Sequence, residues 1–460
     1  MFRKLIFNSL FYLVISSLSA QVSKDNNWKG VNKEMDKLLF QNMLPVWYPR
    51  VLDIEKGGYF SDFSYDWKPE GDQQKMIVTQ ARHVWSCAQL MMLTKEDVYG
   101  TYAYHGYLFL TDIMWDKVNG GFYNLVERNG VPVKEKDAGI ILKNAYGNAF
   151  GLYALAALYE ATREEEVLEF AKKVFLWLEN QSYDPVHGGY YQFLTEEGKP
   201  ITSGWGGVPP KDQNSSIHLM EAFTQLYAVW PDPLVKKRLS EMIYLIRDKM
   251  THEKGYLQLF FSPDFTPFSL RDSLPEVQKK RWNLDHVSYG HDIETAYLLM
   301  DASLKLMDKE PKDELLKIEH QKTLNIGKRM VDHGLKWGWD KKTAGVYDAG
   351  YYFKLNDSPE IIKGTKNWWA QSETLNTLWY FNQLYPNDPM NYRKLFMDQW
   401  DFIKKYLIDW ENGDWYSSSL DKDPQAKFGR KSNIWKGNYH TIRTLINVMN
   451  PNKTTKYGLN

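Results

Sequence analysis

Asp53-Ile54-Glu55-Lys56-Gly57-Gly58-Tyr59 interrupts a helical pattern, and the same turn returns down the chain. It comes back as Asp116…Gly120-Gly121-Phe122 and as Asp184…Gly188-Gly189-Tyr190. Worn forms follow at Glu253-Lys254-Gly255-Tyr256, Asp340…Gly345-Val346-Tyr347 and Glu411-Asn412-Gly413-Asp414-Trp415. Most intervals are about 65 residues, room for two helices and a short hairpin, and a fixed period marks a repeat architecture. Six helical hairpins in one chain predict an all-α ring, one helix of each pair inside and one outside.

Apolar periodicity near 3.6 places twelve helices at 27–48, 78–94, 98–115, 143–162, 165–181, 213–229, 233–250, 289–307, 313–333, 367–385, 391–408 and 433–449. Asp232-Pro233 and Asn387-Asp388-Pro389 punctuate helix starts. Short runs such as 57–62, 120–126 and 188–194 should form β-hairpins at one rim. Long loops at 195–212, 256–288 and 341–366 carry enough aromatics to be ordered. The even helices hold the small residues (Ala81, Ala88, Ala149, Ala154, Ala222, Ala296), and the odd ones hold charged faces such as Lys236-Lys237-Arg238. The even helices should therefore line the inside.

Lys+Arg and Asp+Glu both total 57, so no global field draws nucleic acid or an anionic membrane. The 18 Trp, 30 Tyr and 22 Phe suit a cleft that stacks aromatic rings on sugar faces. No linker divides residues 21–460, which read as one domain, and a monomer is expected. Arg3-Lys4, the apolar stretch 5–15 and small residues up to Ala20 read as a secretory signal over 1–20, hence a periplasmic or secreted protein with no membrane contact after cleavage. Cys87 is the single cysteine; it leaves no internal disulfide and reads as a small buried apolar residue.

Residues that a buried helix should not want cluster near the N-terminal ends of the even helices: Arg82, Asn144, Tyr146, Asn214, His218, His291, Glu294, Trp368, Trp369, Glu373, Trp435 and His440. Imidazoles, a guanidinium, a carboxylate and indole walls suit proton transfer at a carbon next to a carbonyl. One histidine removes the proton and another returns it, each expected near its ordinary pKa of about 6.5. Arg82 would hold the enediolate oxygen. Each residue also has a structural reading: a satisfied core histidine, Arg82 as ion-pair partner of Glu294 or Glu373, the tryptophans as plain packing. His83, His105, His252, His286, His320 and His333 read as structural, and His187 as exposed in its turn.

Five stretches carry a resemblance: Gln80-Ala81-Arg82-His83-Val84-Trp85, 214–222 from Asn214 through His218 to Ala222, 288–294 from Ser288 through His291 to Glu294, 368–373 from Trp368 to Glu373, and 435–443 from Trp435 through His440 to Arg443. Here the chain resembles the N-acylglucosamine 2-epimerase superfamily, and within it the cellobiose and mannobiose 2-epimerases. The resemblance implies an (α/α)6 barrel and epimerisation at C2 of the reducing-end sugar of a disaccharide, through ring opening and a cis-enediolate. It implies that His291 and His440 are the acid/base pair, that Arg82 stabilises the enediolate, and that His218 and Glu294 assist ring opening and orient the pair. Asn214, Tyr146, Trp368, Trp369, Glu373 and Trp435 would hold the sugar, and neither metal nor nucleotide cofactor is implied.

Three other readings stay open. A glycoside hydrolase on the same barrel needs two carboxylates about 5–10 Å apart, for which Glu294 and Glu373 are the candidates. An N-acyl-hexosamine 2-epimerase or aldose–ketose isomerase would use the same enediolate. A non-catalytic sugar-binding protein would keep the tryptophans without needing His291 or His440.

Overall fold

The computed structural model describes residues 28–136, 139–354 and 356–450; the signal segment at 1–20 lies outside them. Among the described residues twelve long helices follow the predicted order. They are α1 (28–47, with a π-helical stretch at Leu38–Met43), α2 (Ile77–Thr94), α3 (Asp97–Phe109), α4 (Ala145–Thr162), α5 (Glu165–Gln181) and α6 (Gln213–Val229). Then come α7 (Pro233–Tyr244), α8 (Tyr289–Lys309), α9 (Glu314–Gly338), α10 (Trp368–Leu384), α11 (Tyr392–Tyr406) and α12 (Tyr439–Met449). Side-chain caps start several of them. Asn144 accepts from Gly147 N, Asp212 from Ser215 N and Asn367 from Ala370 N, each satisfying an amide the helix cannot pair itself.

Each even helix packs on the next, and α12 packs back on α2, closing an inner ring. The odd helices α3, α5, α7, α9 and α11 pack outside it. Helix α1 completes the outer ring across the seam: Trp28 sets edge-on against Trp379 at 4.8 Å and Phe396 at 5.1 Å, and Glu34 accepts from Trp400 Nε1 at 2.7 Å. The fold is an (α/α)6 barrel. Among the described residues no helix is long and apolar enough to cross a membrane.

The structure differs from the sequence reading in three places. Helix α12 begins at Tyr439 rather than 433, because the Asn433 side chain accepts from Trp435 N at 2.8 Å and Lys436 N at 2.9 Å and turns the chain there. The segment read as loop over 256–288 carries a two-turn helix, Pro275–Arg281. The rim strands pair between repeats as well as locally: β1 (Lys75–Met76) with β2 (Leu125–Val126), β3 (Lys143–Asn144) with β4 (Phe193–Leu194), β5 (Lys211–Asp212) with β6 (Phe260–Phe261), and β7 (Ala349–Tyr351) with β8 (Glu360–Lys363).

The founding turn explains that pairing. Gly57 and Gly58 both sit at positive φ, and in the worn copies Ala344 and Asp414 are held in the same left-handed region. The turn's aspartate meets a buried lysine from the entry to an inner helix: Asp53–Lys75 at 2.9 Å, Asp116–Lys143 at 2.6 Å, Asp184–Lys211 at 2.8 Å, Asp340–Lys366 at 3.0 Å and Asp409–Lys431 at 2.5 Å. Lys143 Nζ also donates to Gly120 O at 2.7 Å and to Glu196 O of the following repeat at 2.5 Å. One ammonium thus joins its own turn to the next repeat. In the fourth repeat His252 stands where the aspartate would be and Val287 where the lysine would be, so neither is left as a buried orphan charge. We expect Lys143→Met, which strands the Asp116 carboxylate, to cost about 3–5 kcal/mol; urea denaturation would measure it.

Candidate active site

Counting from the first residue of α2, α4, α6, α8 and α10, the sixth positions are Arg82, Phe150, His218, Glu294 and Glu373. His440 of α12 joins this layer, its Nδ1 2.7 Å from Glu373 Oε1 and 4.0 Å from Glu294 Oε1. About one turn nearer the rim stand Tyr146, Asn214, His291 and Trp369. The Trp369 ring lies 4.6 Å from the His291 ring and 5.9 Å from the His440 ring, centroid to centroid. One indole therefore links the two imidazoles, although 148 residues separate them in the chain. His218 sits at the same height, its ring 5.3 Å from Tyr146 and 4.6 Å from Phe150.

The floor of this site rests on Arg443, one turn after His440. Its Nη1 binds Glu221 and the Tyr439 hydroxyl, and its Nη2 lies 2.5 Å from Glu294 and 2.6 Å from Glu373. Glu221 in turn holds His218 Nδ1 at 2.8 Å and accepts from Tyr439 at 2.7 Å. All three imidazoles thus spend Nδ1 on the protein: His218 on Glu221, His440 on Glu373, and His291 on Ser288 Oγ at 2.7 Å. A carboxylate on Nδ1 fixes the tautomer whose Nε2 carries the lone pair, so His218 and His440 offer Nε2 as proton acceptors.

Arg82 was a candidate partner for Glu294 or Glu373, but Arg443 takes both carboxylates. Arg82 instead donates to Tyr146 Oη at 3.2 Å, lies over the rings of Phe150 and Tyr439, and has no acceptor in the protein for its Nε. Its charge is free to meet a developing oxyanion. Glu373, expected to hold the sugar, is fully buried and committed to His440 and Arg443. It takes over the orienting part expected of Glu294. Trp435, expected on the last inner helix, stands before it at the rim, 53% exposed. Trp368 and Asn214 remain half-buried at the mouth, Asn144 caps α4, and His187 is exposed. Glu294, Glu373 and His440 bring ligand-type atoms within 4.8 Å of one another, and the cation seated among them is Arg443.

The ordinary pKa expected for the imidazoles of His291 and His440 does not hold. Burial, with His218, His286, His440 and Arg82 adding positive charge, pushes His291 down to about 3. Burial and Arg82 hold His440 well below the usual value against the pull of Glu294. Burial would raise Glu221, but Arg443 and His218 outweigh it and leave it at about 2. Both imidazoles are therefore neutral at pH 7. We expect the acid limb of kcat/KM to fall below pH 6 rather than at the ordinary histidine value of about 6.5; a pH–rate profile checks this. Stability should move the same way. His83 and His291 (to about 3), His286 and His333 (to about 4) and His440 are all depressed by burial. Between those values and about 6.5 the unfolded chain binds the extra protons, so stability is lost as pH falls through that window. Asp212, raised to about 6 by burial, Asp292, raised well above its usual range, and Asp62 and Glu373, also raised by burial, oppose but are fewer. Melting temperature should drop from pH 7 to 5.

A family model described as N-acylglucosamine 2-epimerase (GlcNAc 2-epimerase) matches residues 58–443, which spans α2 to α10, the first residues of α12 and all of these side chains. The chain belongs to the N-acylglucosamine 2-epimerase family. It is 27% identical to a cellobiose 2-epimerase of Dictyoglomus turgidum over 429 residues, covering 92% of this chain and 98% of that one. It is 24% identical to a D-mannose isomerase of Marinomonas mediterranea, covering 89% and 95%. The solved structure of cellobiose 2-epimerase from Bacillus thermoamylovorans B4167 superposes with a TM-score of 0.76 at 25% identity, covering 92% of this chain and 99% of that one. The protein is thus a sugar epimerase or isomerase, of the carbohydrate 2-epimerase kind.

Within this epimerase-family barrel, Glu221, Ser288, Tyr439 and Arg443 were not singled out from the sequence. The available signal was spacing: Glu221 follows His218 by three and Arg443 follows His440 by three, each on the same helix face. The carboxylate pair that a hydrolase would need, Glu294 and Glu373, is bound to one guanidinium nitrogen of Arg443, so an oxygen of each is spent inside the protein.

Proposed function

We propose that this enzyme epimerises C2 of the reducing-end sugar of a β-linked disaccharide of the cellobiose or mannobiose type. His218, oriented by Glu221, and Glu294 assist opening of the sugar ring to the C1 aldehyde. His291 and His440 then work on C2 from opposite faces: one takes the C2 proton, and the other returns a proton to the far side of the cis-enediolate. Ring opening passes the O1 proton on to O5. One neutral imidazole then takes the C2 proton as base, while the other takes a proton from solvent and delivers it to C2 as acid. The base afterwards returns its proton to solvent. Arg82, with an unpaired Nε, meets the enediolate oxygen. Trp369 stacks on the reacting ring and the exposed Trp435 on the second sugar, with Asn214, Tyr146 and Trp368 completing the mouth.

The observation that carries this reading is the placement of both imidazoles against Trp369. Incubation with cellobiose or mannobiose in D2O tests it: deuterium at C2 and an isomeric disaccharide are expected. Free monosaccharide would mean hydrolysis, and no exchange would mean a binding protein. Exchange with D-mannose yielding a ketose would favour the aldose–ketose reading, which the mannose isomerase relative keeps open, and exchange confined to N-acetylated hexosamines would shift the substrate class. Read as an export signal, segment 1–20 supports a periplasmic or secreted enzyme.

A further inference from the structure

The barrel carries a cavity away from the catalytic side chains. Its lining comes from the C-terminal halves of the inner helices, the end opposite to the catalytic mouth, and it holds about 480 Å³. That lies within the roughly 300–1,000 Å³ of small-molecule sites. Its roof is the layer below the catalytic one: Trp85, Tyr153 and Tyr297 are the ninth residues of α2, α4 and α8, and Glu221 and Arg443 complete it. Toward the opening stand amides and acids, among them Gln89, Asn447 and Asp308.

Two buried donors of the roof have no acceptor in the protein, Trp85 Nε1 and Arg443 Nε, on side chains that are 5% and 2% exposed. Buried donors of this kind ordinarily have a partner, and both side chains line the chamber. An anion would meet Glu160 and Asp308, and a cation would meet Lys305 and Arg443. The chemistry left is that of a neutral ligand rich in hydroxyls, with apolar ring faces for the indole and the phenols. We propose that this chamber is a second carbohydrate-binding site, distinct from the catalytic mouth. Arg443 is the wall the two share, so a sugar in the chamber touches the guanidinium that holds Glu221, Glu294 and Glu373.

The test uses the full chain with 15N-labelled indoles and cellobiitol, a disaccharide alditol that has no C1 carbonyl and cannot react. The Trp85 and Trp369 resonances are assigned by Trp85→Phe and Trp369→Phe. Saturable movement of the Trp85 indole is expected. Ala228→Trp, which fills the chamber from the end of α6, should abolish it while the Trp369 shift and C2 exchange stay at wild-type level. Gln89→Trp provides a second filling variant, and thermal melting shows which of the two is folded. A Trp85 resonance that stays still while Trp369 saturates overturns the proposal, as does a Trp85 shift that survives in a folded filling variant. Failure of the catalytic reading is seen separately, as a Trp369 resonance that does not move and an absence of C2 exchange.

Discussion

His440→Ala is expected to lower kcat for C2 deuterium exchange by about 10²–10⁴-fold, the range for a positioned acid–base group. kcat/KM should fall in parallel, because the interaction lost belongs to the transition state. The fold should survive. Glu373, which loses its imidazole partner, still lies 2.6 Å from Arg443 Nη2, so no buried charge is orphaned. His291→Ala should behave alike, since its protein partner is only the Ser288 hydroxyl. Exchange rates measured by NMR, with melting curves beside them, check both variants. A wild-type rate in either would remove that residue from its role.

Arg443→Met should do the reverse and strike stability first. The guanidinium, 2% exposed, bonds three carboxylates that are themselves buried. Breaking a buried pair costs about 3–5 kcal/mol because an uncompensated charge remains, and here three carboxylates lose the same partner. The signature is in the pH dependence. Carboxylates stranded in the core take on raised pKa values, so their penalty is relieved as pH falls, and the gap between variant and wild type should narrow from pH 7 to 5. Arg443→Lys should recover little, since a point charge cannot span contacts made by two separate nitrogens. Denaturant titrations at several pH values measure both effects. A gap that is independent of pH would mean that lost packing, not orphaned charge, is what the variant suffers.

The repeat was legible because each copy needs the same turn. Two residues at positive φ, an aspartate at its start and a lysine entering the next inner helix leave a fixed mark in the chain. The fourth copy shows only a worn form of that mark because His252 and Val287 replace the charged pair together. The two-turn helix at Pro275–Arg281 was hidden for a similar reason: it lies in a long inter-helix segment where periodicity has too few residues to register. The start of α12 was missed because an Asn433 turn, a side-chain event, competes with helix formation.

From the linear chain alone came the ring of hairpins, the division into inner and outer helices, and the cluster of imidazoles, indoles and Arg82 at one rim. These are local properties, written in spacing and in polar residues placed where a buried helix does not favour them. Only the closed barrel decided who pairs with whom. That Arg443 rather than Arg82 binds Glu294 and Glu373, that Glu373 orients His440, and that the imidazoles of His291 and His440 are neutral depend on distances between helices that are remote in sequence. Burial and charge act through space, and no spacing along one helix records them.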